Sequence, residues 1–522
     1  VPSSDAVMPV GTGRKACRTV LDALWHAVVA APDQVALRQG GRSLTYRQYD
    51  RCVAGLAADL DRIGVAGKRV ALALPNGPEM AVAVFAALSA GAQIAFFNPN
   101  YPRRELQPLL ADAAPAALLA PPGSEGAAAA LAVERRIPVL SLGTAQRNLE
   151  DWSADPDLTI ADRARPAPDD LATLMYTGGT TGVPKGVVHS HRNLMLTVQA
   201  MEACWPTRVH EDVWVTVAPM YHIWGLLMGI LNPVYGRATL VSVPRFQPDL
   251  VVEALARHKA TVFSGGPAAV YSGLLAASAF SSADLSHLRI CPGGGSSFPL
   301  DLLRRWQEAT GVEIQEALGM SEIAPISSQV PGRPPIPGSV GHPAPLIDVR
   351  IASDNSSEPL EIGEVGEILV RAPHMFLEYH NDPDATEAAF VDGWFRTGDL
   401  GRLDGKGVLY VVDRKKDLII VGGFNVFPRE IDELLASHRG VRQAVTVGIP
   451  DARKGERPAS FVVALPGHTV HIQELHDFCA QHLVSYKRPA VIRFVDEIPI
   501  THANKPNRQA LRAQVTSQES VT

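Results

Sequence analysis

Cysteine is scarce in this chain of 522 residues. There are five, Cys17, Cys52, Cys204, Cys291 and Cys479, odd in number, scattered and never in a CxxC pair. That argues against a disulfide framework and a cysteine zinc site, and it fits a reducing cytoplasm. An excess of one charge sign is also missing: 48 Lys and Arg against 54 Asp and Glu leave −6, so no general attraction to nucleic acid or anionic membrane is expected. No apolar run reaches a clean membrane span. The longest, MAVAVFAALSAGAQIAFF from Met80 to Phe97, is Ala-rich, broken by Ser, Gly and Gln, and bounded by Pro75, Asn98 and Pro99. It reads as a buried helix running through Gly91 into a short core strand. The segment VPSSDAVMPVGTGRKACR has no apolar stretch behind a basic start, so no secretory leader is expected there. No internal repeat is visible.

What is abundant is turn chemistry, with 43 Gly and 41 Pro, in a chain that is 46% hydrophobic and longer than one core supports. At least two domains and a turn-rich α/β chain follow. Short apolar runs alternate with helical patterns from about residue 20: RVALALP, IPVLSL, DVWVTVAP, ATLVSVP, ATVFSGGP and LRICPGGG. Such alternation predicts parallel sheets, and several runs end in Gly or Pro loops of the kind that bind ligands at a sheet's C-terminal edge. From Gln329 the texture shifts to short strands and turns, which predicts an antiparallel or barrel-like subdomain. After Asp413 and Arg414 about a hundred residues carry their own apolar elements, a domain-sized piece, and the boundary is expected between Lys415 and Lys416.

The most informative stretch is LMYTGGTTGVPKGVVHSHRNL, Leu174 to Leu194. Thr177, Gly178, Gly179, Thr180, Thr181 and Gly182 let backbone N–H groups approach an anion and offer hydroxyl donors, and Lys185 adds charge. This is a phosphate-loop composition without the Walker A pattern, because Pro184 and Gly186 flank the lysine. A P-loop kinase or ATPase is disfavoured; the competing structural reading is a flexible Gly/Thr turn between strands.

On this segment the chain resembles the adenylate-forming superfamily of acyl-CoA synthetases, firefly-type luciferases and peptide-synthetase adenylation domains, and most resembles its acyl-CoA synthetase branch. Further matches follow in the family's order: APMYHIWG, QEALGMSE, GEVGEILVRAP, GWFRTGDLG, VVDRKKDLII, GGFNVFPREIDE and IPITHANKPNR. The resemblance implies a large N-terminal domain (1–415) of two parallel-sheet α/β subdomains plus a barrel-like subdomain, and a small mobile α+β domain (416–522). It implies a ligase that uses ATP, Mg2+ and coenzyme A. Lys505 would be the catalytic lysine, and His222 would lie beside the acyl carboxylate. Glu322 would hold Mg2+ and Ser321 would donate to the α-phosphate, although that pair alone also reads as a helix cap. Asp399, assisted by Arg414, would take the ribose hydroxyls, with Gly294, Glu316 and Leu318 around the rest of the nucleotide. Lys416 would be the hinge, and Gly422, Gly423 and Phe424 would border the thiol channel. Tyr221 followed by His222, in place of an aromatic followed by Asp, disfavours amino acids as substrates. The acyl pocket would be lined by Tyr221, His222, Gly225, Gly229, Gly265, Gly266, Gly293 and Gly295. So many walls without side chains predict room for a bulky or long acyl group.

Two departures touch the adenylation step: Leu318 replaces the aromatic that stacks on adenine, and Ala503-Asn504 replaces Ser-Gly before the catalytic lysine. They leave open an enzyme with weak adenylation that thioesterifies a supplied acyl adenylate. The same motifs would also suit a stand-alone enzyme loading a carrier protein, or a non-catalytic binding or scaffold protein of the same fold. The expected partners are a carboxylic acid or its adenylate and CoA, with the oligomeric state open.

Overall fold

The computed structural model describes residues 16–123, 126–144, 147–177, 184–353, 356–451, 453–500 and 506–519. Two mainly parallel sheets form its first part. The larger has the strand order Glu378–Tyr379, Lys185–Ser190, Leu171–Thr177, Gln93–Phe96, Arg69–Leu72, Ala117–Ala120, Val139–Ser141, parallel from Leu171–Thr177 onward. The uncharged run supplies its covering helix, Pro78–Ser89, in which every residue but Glu79 is buried. Pro78 opens that helix, and Gly91, at φ +71°, turns the chain into Gln93–Phe96. No helix among the described residues is long and apolar enough to cross a membrane.

The second sheet runs Val262–Ser264, Val213–Thr216, Thr239–Ser242, Val35–Gln39, Arg42–Thr45, with only the last pair antiparallel. A smaller sheet, Cys291–Gly294 beside Ile314–Leu318 and then Ser327–Ser328 and His342–Pro343, continues from it through a bridge between Gly266 and Gly293. The turn-rich stretch after Pro345 forms a five-stranded antiparallel sheet from Asp348–Ala352 to Leu409–Arg414. Beyond it, Ile419–Val421, Phe424–Val426, Val441–Asp451, Gly455–Ala464 and Val491–Phe494 make a further mixed sheet. Two buried clusters flank this last sheet, one around Ile419, Ile431 and Leu475, the other around Val445, Phe461 and Leu511. Both draw only on residues after Leu418, so this unit has a hydrophobic core of its own.

Candidate active site

The strands that precede the chemistry-bearing loops end on one another. Leu171–Thr177 and Lys185–Ser190 form an antiparallel hairpin in which Thr177 pairs with Lys185, so the expected phosphate loop springs from the end of a core strand. Gly178, Gly179, Thr180, Thr181 and Gly182 lie outside the described residues, as does Lys505. Lys185 itself is placed: its Nζ lies 4.6 Å above the ring of Tyr379. The Tyr379 hydroxyl donates to Glu322 Oε1 at 2.8 Å. A lysine, a phenol and a carboxylate brought from three distant segments thus stand in a row.

Glu322 is buried, and burial raises its carboxyl pKa; the Tyr379 hydrogen bond and the charges of Arg414 and Lys185 work in the opposite direction. No helix starts at Ser321 and Glu322, so the helix-cap reading of that pair is excluded. Instead the segment is pinned from two sides. Phe376 N–H donates to the Glu322 carbonyl at 2.8 Å, and His189 Nε2 lies 2.9 Å from the Ser321 carbonyl. A carbonyl can only accept, so Nε2 carries the proton and Nδ1 accepts from the Thr173 hydroxyl at 3.2 Å. Burial pushes the pKa of His189 down to about 4, which keeps this imidazole neutral.

Asp399 and Arg414 face each other across the paired strands Trp394–Leu403 and Leu409–Arg414, with Arg414 Nε 3.1 Å from Asp399 Oδ1. Asp399 is buried while Arg414 reaches solvent. Lys416 follows in a short 3-10 turn, Lys415–Asp417. Burial, with Arg414 nearby, lowers its pKa, against the pull of Asp417 and Asp399. The neighbouring Asp413 accepts from the backbone N–H groups of Arg414 at 2.7 Å and Arg429 at 2.9 Å, tying the helix Pro428–Ala436 to the strand before the turn.

Glu316 sits in the strand Ile314–Leu318, paired with Gly293. It is buried, its Oε1 has no partner among the described residues, and burial pushes its pKa up to about 7 despite the charge of Arg429. Leu318 packs on the large core. Gly422 and Gly423 adopt φ of +59° and +87° in open space, so conformation, and not clearance, calls for glycine at both. Phe424 is exposed and stacks on Tyr486 at 4.5 Å.

The acyl-pocket glycines correct the expectation of open walls. A Cβ at Gly293 would meet the Phe298 ring at 2.5 Å, one at Gly265 would meet Phe263 at 2.7 Å and one at Gly229 would meet Thr216 at 3.2 Å. At Gly225 it would collide with the Pro219 carbonyl. Gly266 and Gly294 face the indole of Trp224, 3.7 and 3.8 Å from where their Cβ atoms would be. These glycines let the protein's own chain and rings pack closely. Gly295 is a turn position with φ +82°. Tyr221 and His222 lie together, ring centroids 4.9 Å apart, at the start of the helical segment that carries Trp224.

Sequence reasoning missed Tyr379, His189 and Arg429. His189 and Arg429 lie inside the segments LMYTGGTTGVPKGVVHSHRNL and GGFNVFPREIDE already singled out; Tyr379 carries no local signal, because its partners are remote in sequence.

Comparison with known proteins bears on this constellation. The sequence profile of AMP-binding enzymes matches residues 24–380, and that of the AMP-binding enzyme C-terminal domain matches 430–505. The chain belongs to the AMP-binding enzymes, the adenylate-forming superfamily. Among curated members of this family, a long-chain-fatty-acid–CoA ligase of Bacillus subtilis is 31% identical over 97% of this chain and 96% of its own length. A feruloyl-CoA synthase of an Amycolatopsis species is 36% identical over 91% of this chain and 94% of its own. Among solved structures, that of ATP-bound MatB from Rhodopseudomonas palustris superposes with a TM-score of 0.88 at 29% identity, covering 95% of this chain and 98% of that one.

Proposed function

We propose that this AMP-binding enzyme is an acyl-CoA ligase in which the row Lys185–Tyr379–Glu322 and the Asp399–Arg414 pair hold ATP. The row carries the reading, since it joins a cation for phosphate oxygens to a buried carboxylate. Glu322 fits a hard divalent cation: it is an oxygen donor, it is buried, and Tyr379 occupies only one of its oxygens. When bound there, Mg2+ would neutralise phosphate charge. Asp399 accepts from the ribose hydroxyls and Arg414 holds its carboxylate in place. Glu316 faces the adenine amino group, and Leu318 gives the ring an apolar surface. Ser321 donates to the α-phosphate.

In the first half-reaction a carboxylate oxygen of the acid, placed beside His222, attacks the α-phosphorus. The new P–O bond forms as the bond to pyrophosphate breaks, and Lys505 stabilises the charge on the crowded phosphorus. In the second, the thiolate sulfur of CoA attacks the acyl carbonyl and AMP leaves with the electron pair of the broken C–O bond. We place the domain boundary at Lys415 and Lys416, giving units 1–415 and 416–522. Rotation about Lys416 would exchange Lys505 for the face of Gly422, Gly423 and Phe424. The separate cores after Leu418 support that division. The relatives' names point to acids of fatty or aromatic type, and the five buried cysteines, none of them in a disulfide, suit a cytoplasmic enzyme.

An acid panel scored for AMP release and thioester formation, with CoA or a phosphopantetheinylated carrier protein as the thiol, tests the proposal. Acid-dependent AMP and an acyl-CoA product are expected. Thioester only on the carrier would replace CoA as acceptor, and no exchange of labelled pyrophosphate into ATP with any acid would defeat the adenylation step.

A further inference from the structure

Three hydroxyls stand side by side beneath the candidate acyl pocket. Thr216, Ser242 and Ser264 end three parallel strands, and the register pairs Thr216 with Ser242 on one side and with Ser264 on the other. Residues in register on neighbouring strands point to the same face, here the face that also carries Trp214, Leu240 and Val262 two positions earlier. Thr216 and Ser264 are completely buried and Ser242 nearly so. None of the three hydroxyl oxygens has a hydrogen-bond partner among the described residues. Their flanking residues Val215, Val241 and Phe263 point to the opposite face and are ordinary core.

The element covering the row is the helical segment that starts after His222. It contains a π-helical turn, Leu227–Leu231, a feature that recurs at functional sites. Gly229 in that turn lies against Thr216. The same segment supplies two further orphaned groups, the indole Nε1–H of Trp224 and Oδ1 of Asn232. A Cβ placed at Gly266 would lie 3.7 Å from the Trp224 indole nitrogen, and Gly266 follows Ser264 by two residues. A polar layer sealed without partners is costly, and native proteins keep such groups for a polar ligand or ordered water.

We propose that this hydroxyl row and the Trp224 indole recognise oxygen functions on the body of the acid, so that the substrate is a hydroxyl- or keto-bearing carboxylic acid and not a plain saturated one. The inference rests on the acyl-CoA ligase reading. The link from His222 to the row is the covering segment itself, which begins after His222, carries Trp224 and sets Gly229 against Thr216. An oxygenated body satisfies these groups, whereas a bare hydrocarbon of the same length strips them of water and leaves them unpaired. Sites built to hydrogen-bond a substrate oxygen reject the analogue lacking it more strongly than apolar pockets discriminate by size.

The test compares saturated acids with hydroxyl and keto analogues of equal length, the oxygen moved stepwise along the chain. It reads kcat/KM for AMP release and for acyl-CoA in the full chain and in Thr216→Val, Ser242→Ala and Ser264→Ala. The native enzyme is expected to favour one or more oxygenated acids by about tenfold or more, and at least one variant to cut that preference by about fivefold or more while sparing the saturated acid. Should Thr216→Val melt early, the serine variants carry the readout. Equal use of both acid types, or a preference unchanged in every folded variant because the row holds only water, overturns the inference and leaves the ligase reading intact. No AMP release with any acid defeats the ligase reading, and the inference falls with it.

Discussion

Glu316 is a carboxyl group whose surroundings move its ionisation into the physiological range. Its folded pKa of about 7 lies above the ordinary glutamate value, so in the unfolded chain it loses its proton first as pH rises. The stability it contributes is therefore complete below about pH 4.5 and lost as pH rises through about 7. Glu316→Gln is expected to remove this slope and to raise stability at pH 8, relative to pH 5, by up to about 3 kcal/mol. Urea titrations at the two pH values check it; a parallel slope in the variant would refute the assignment. Tyr379 works differently, through one charge-assisted hydrogen bond to Glu322. Tyr379→Phe keeps the ring under Lys185 and removes only that donor, so labelled pyrophosphate exchange is expected to fall by about 10- to 100-fold with little change in melting temperature. Unchanged exchange would show that the phenol has no part in holding the carboxylate proposed to bind the metal.

Among elements, the helix Arg508–Glu519 packs Leu511 and Val515 into the core of the unit around it and is tied there by an ion pair at its first residue. The Arg508 guanidinium is mostly buried, donates to Asp432 Oδ2 at 2.8 Å and to the Thr446 carbonyl, and lies 3.7 Å from Asp417 beside the hinge. Asp432 is largely buried, and burial raises its pKa to about 6. Arg508→Ala strands that carboxylate without its cation, and a loss of about 3–5 kcal/mol in the C-terminal unit is expected, read as an early transition in chemical denaturation. A single unshifted transition would refute it. Gly225→Ala tests close packing near the middle of the chain. Its methyl would strike the Pro219 carbonyl, so a cost of about 1–3 kcal/mol is expected in a thermal melt. An unchanged melt would mean that the Pro219 turn can yield.

For the whole molecule, the proposed alternation between half-reactions places its hinge at the turn Lys415–Asp417. Lys416→Pro disfavours the helical backbone at Lys415, and one half-reaction is expected to drop by about tenfold or more while the other is held. Pyrophosphate exchange and thioester formation from supplied acyl adenylate separate the two; equal losses would count against a hinge there. Much of this machine was legible from local pattern. The uncharged run around Phe85 reads as helix then strand because Pro75 and Gly91 punctuate it. The loop after Thr177 reads as an anion cradle because its residues are small, and Asp399 and Arg414 stand in segments whose order matches a known family. These features depend on neighbours in sequence, where periodicity, turn chemistry and motif spacing act. The Tyr379–Glu322 bond, the isolation of Glu316, the true use of the pocket glycines and the hydroxyl row at Thr216 were decided only by tertiary structure. Each arises where segments far apart in sequence meet, and burial and hydrogen-bond partnership are properties of that meeting.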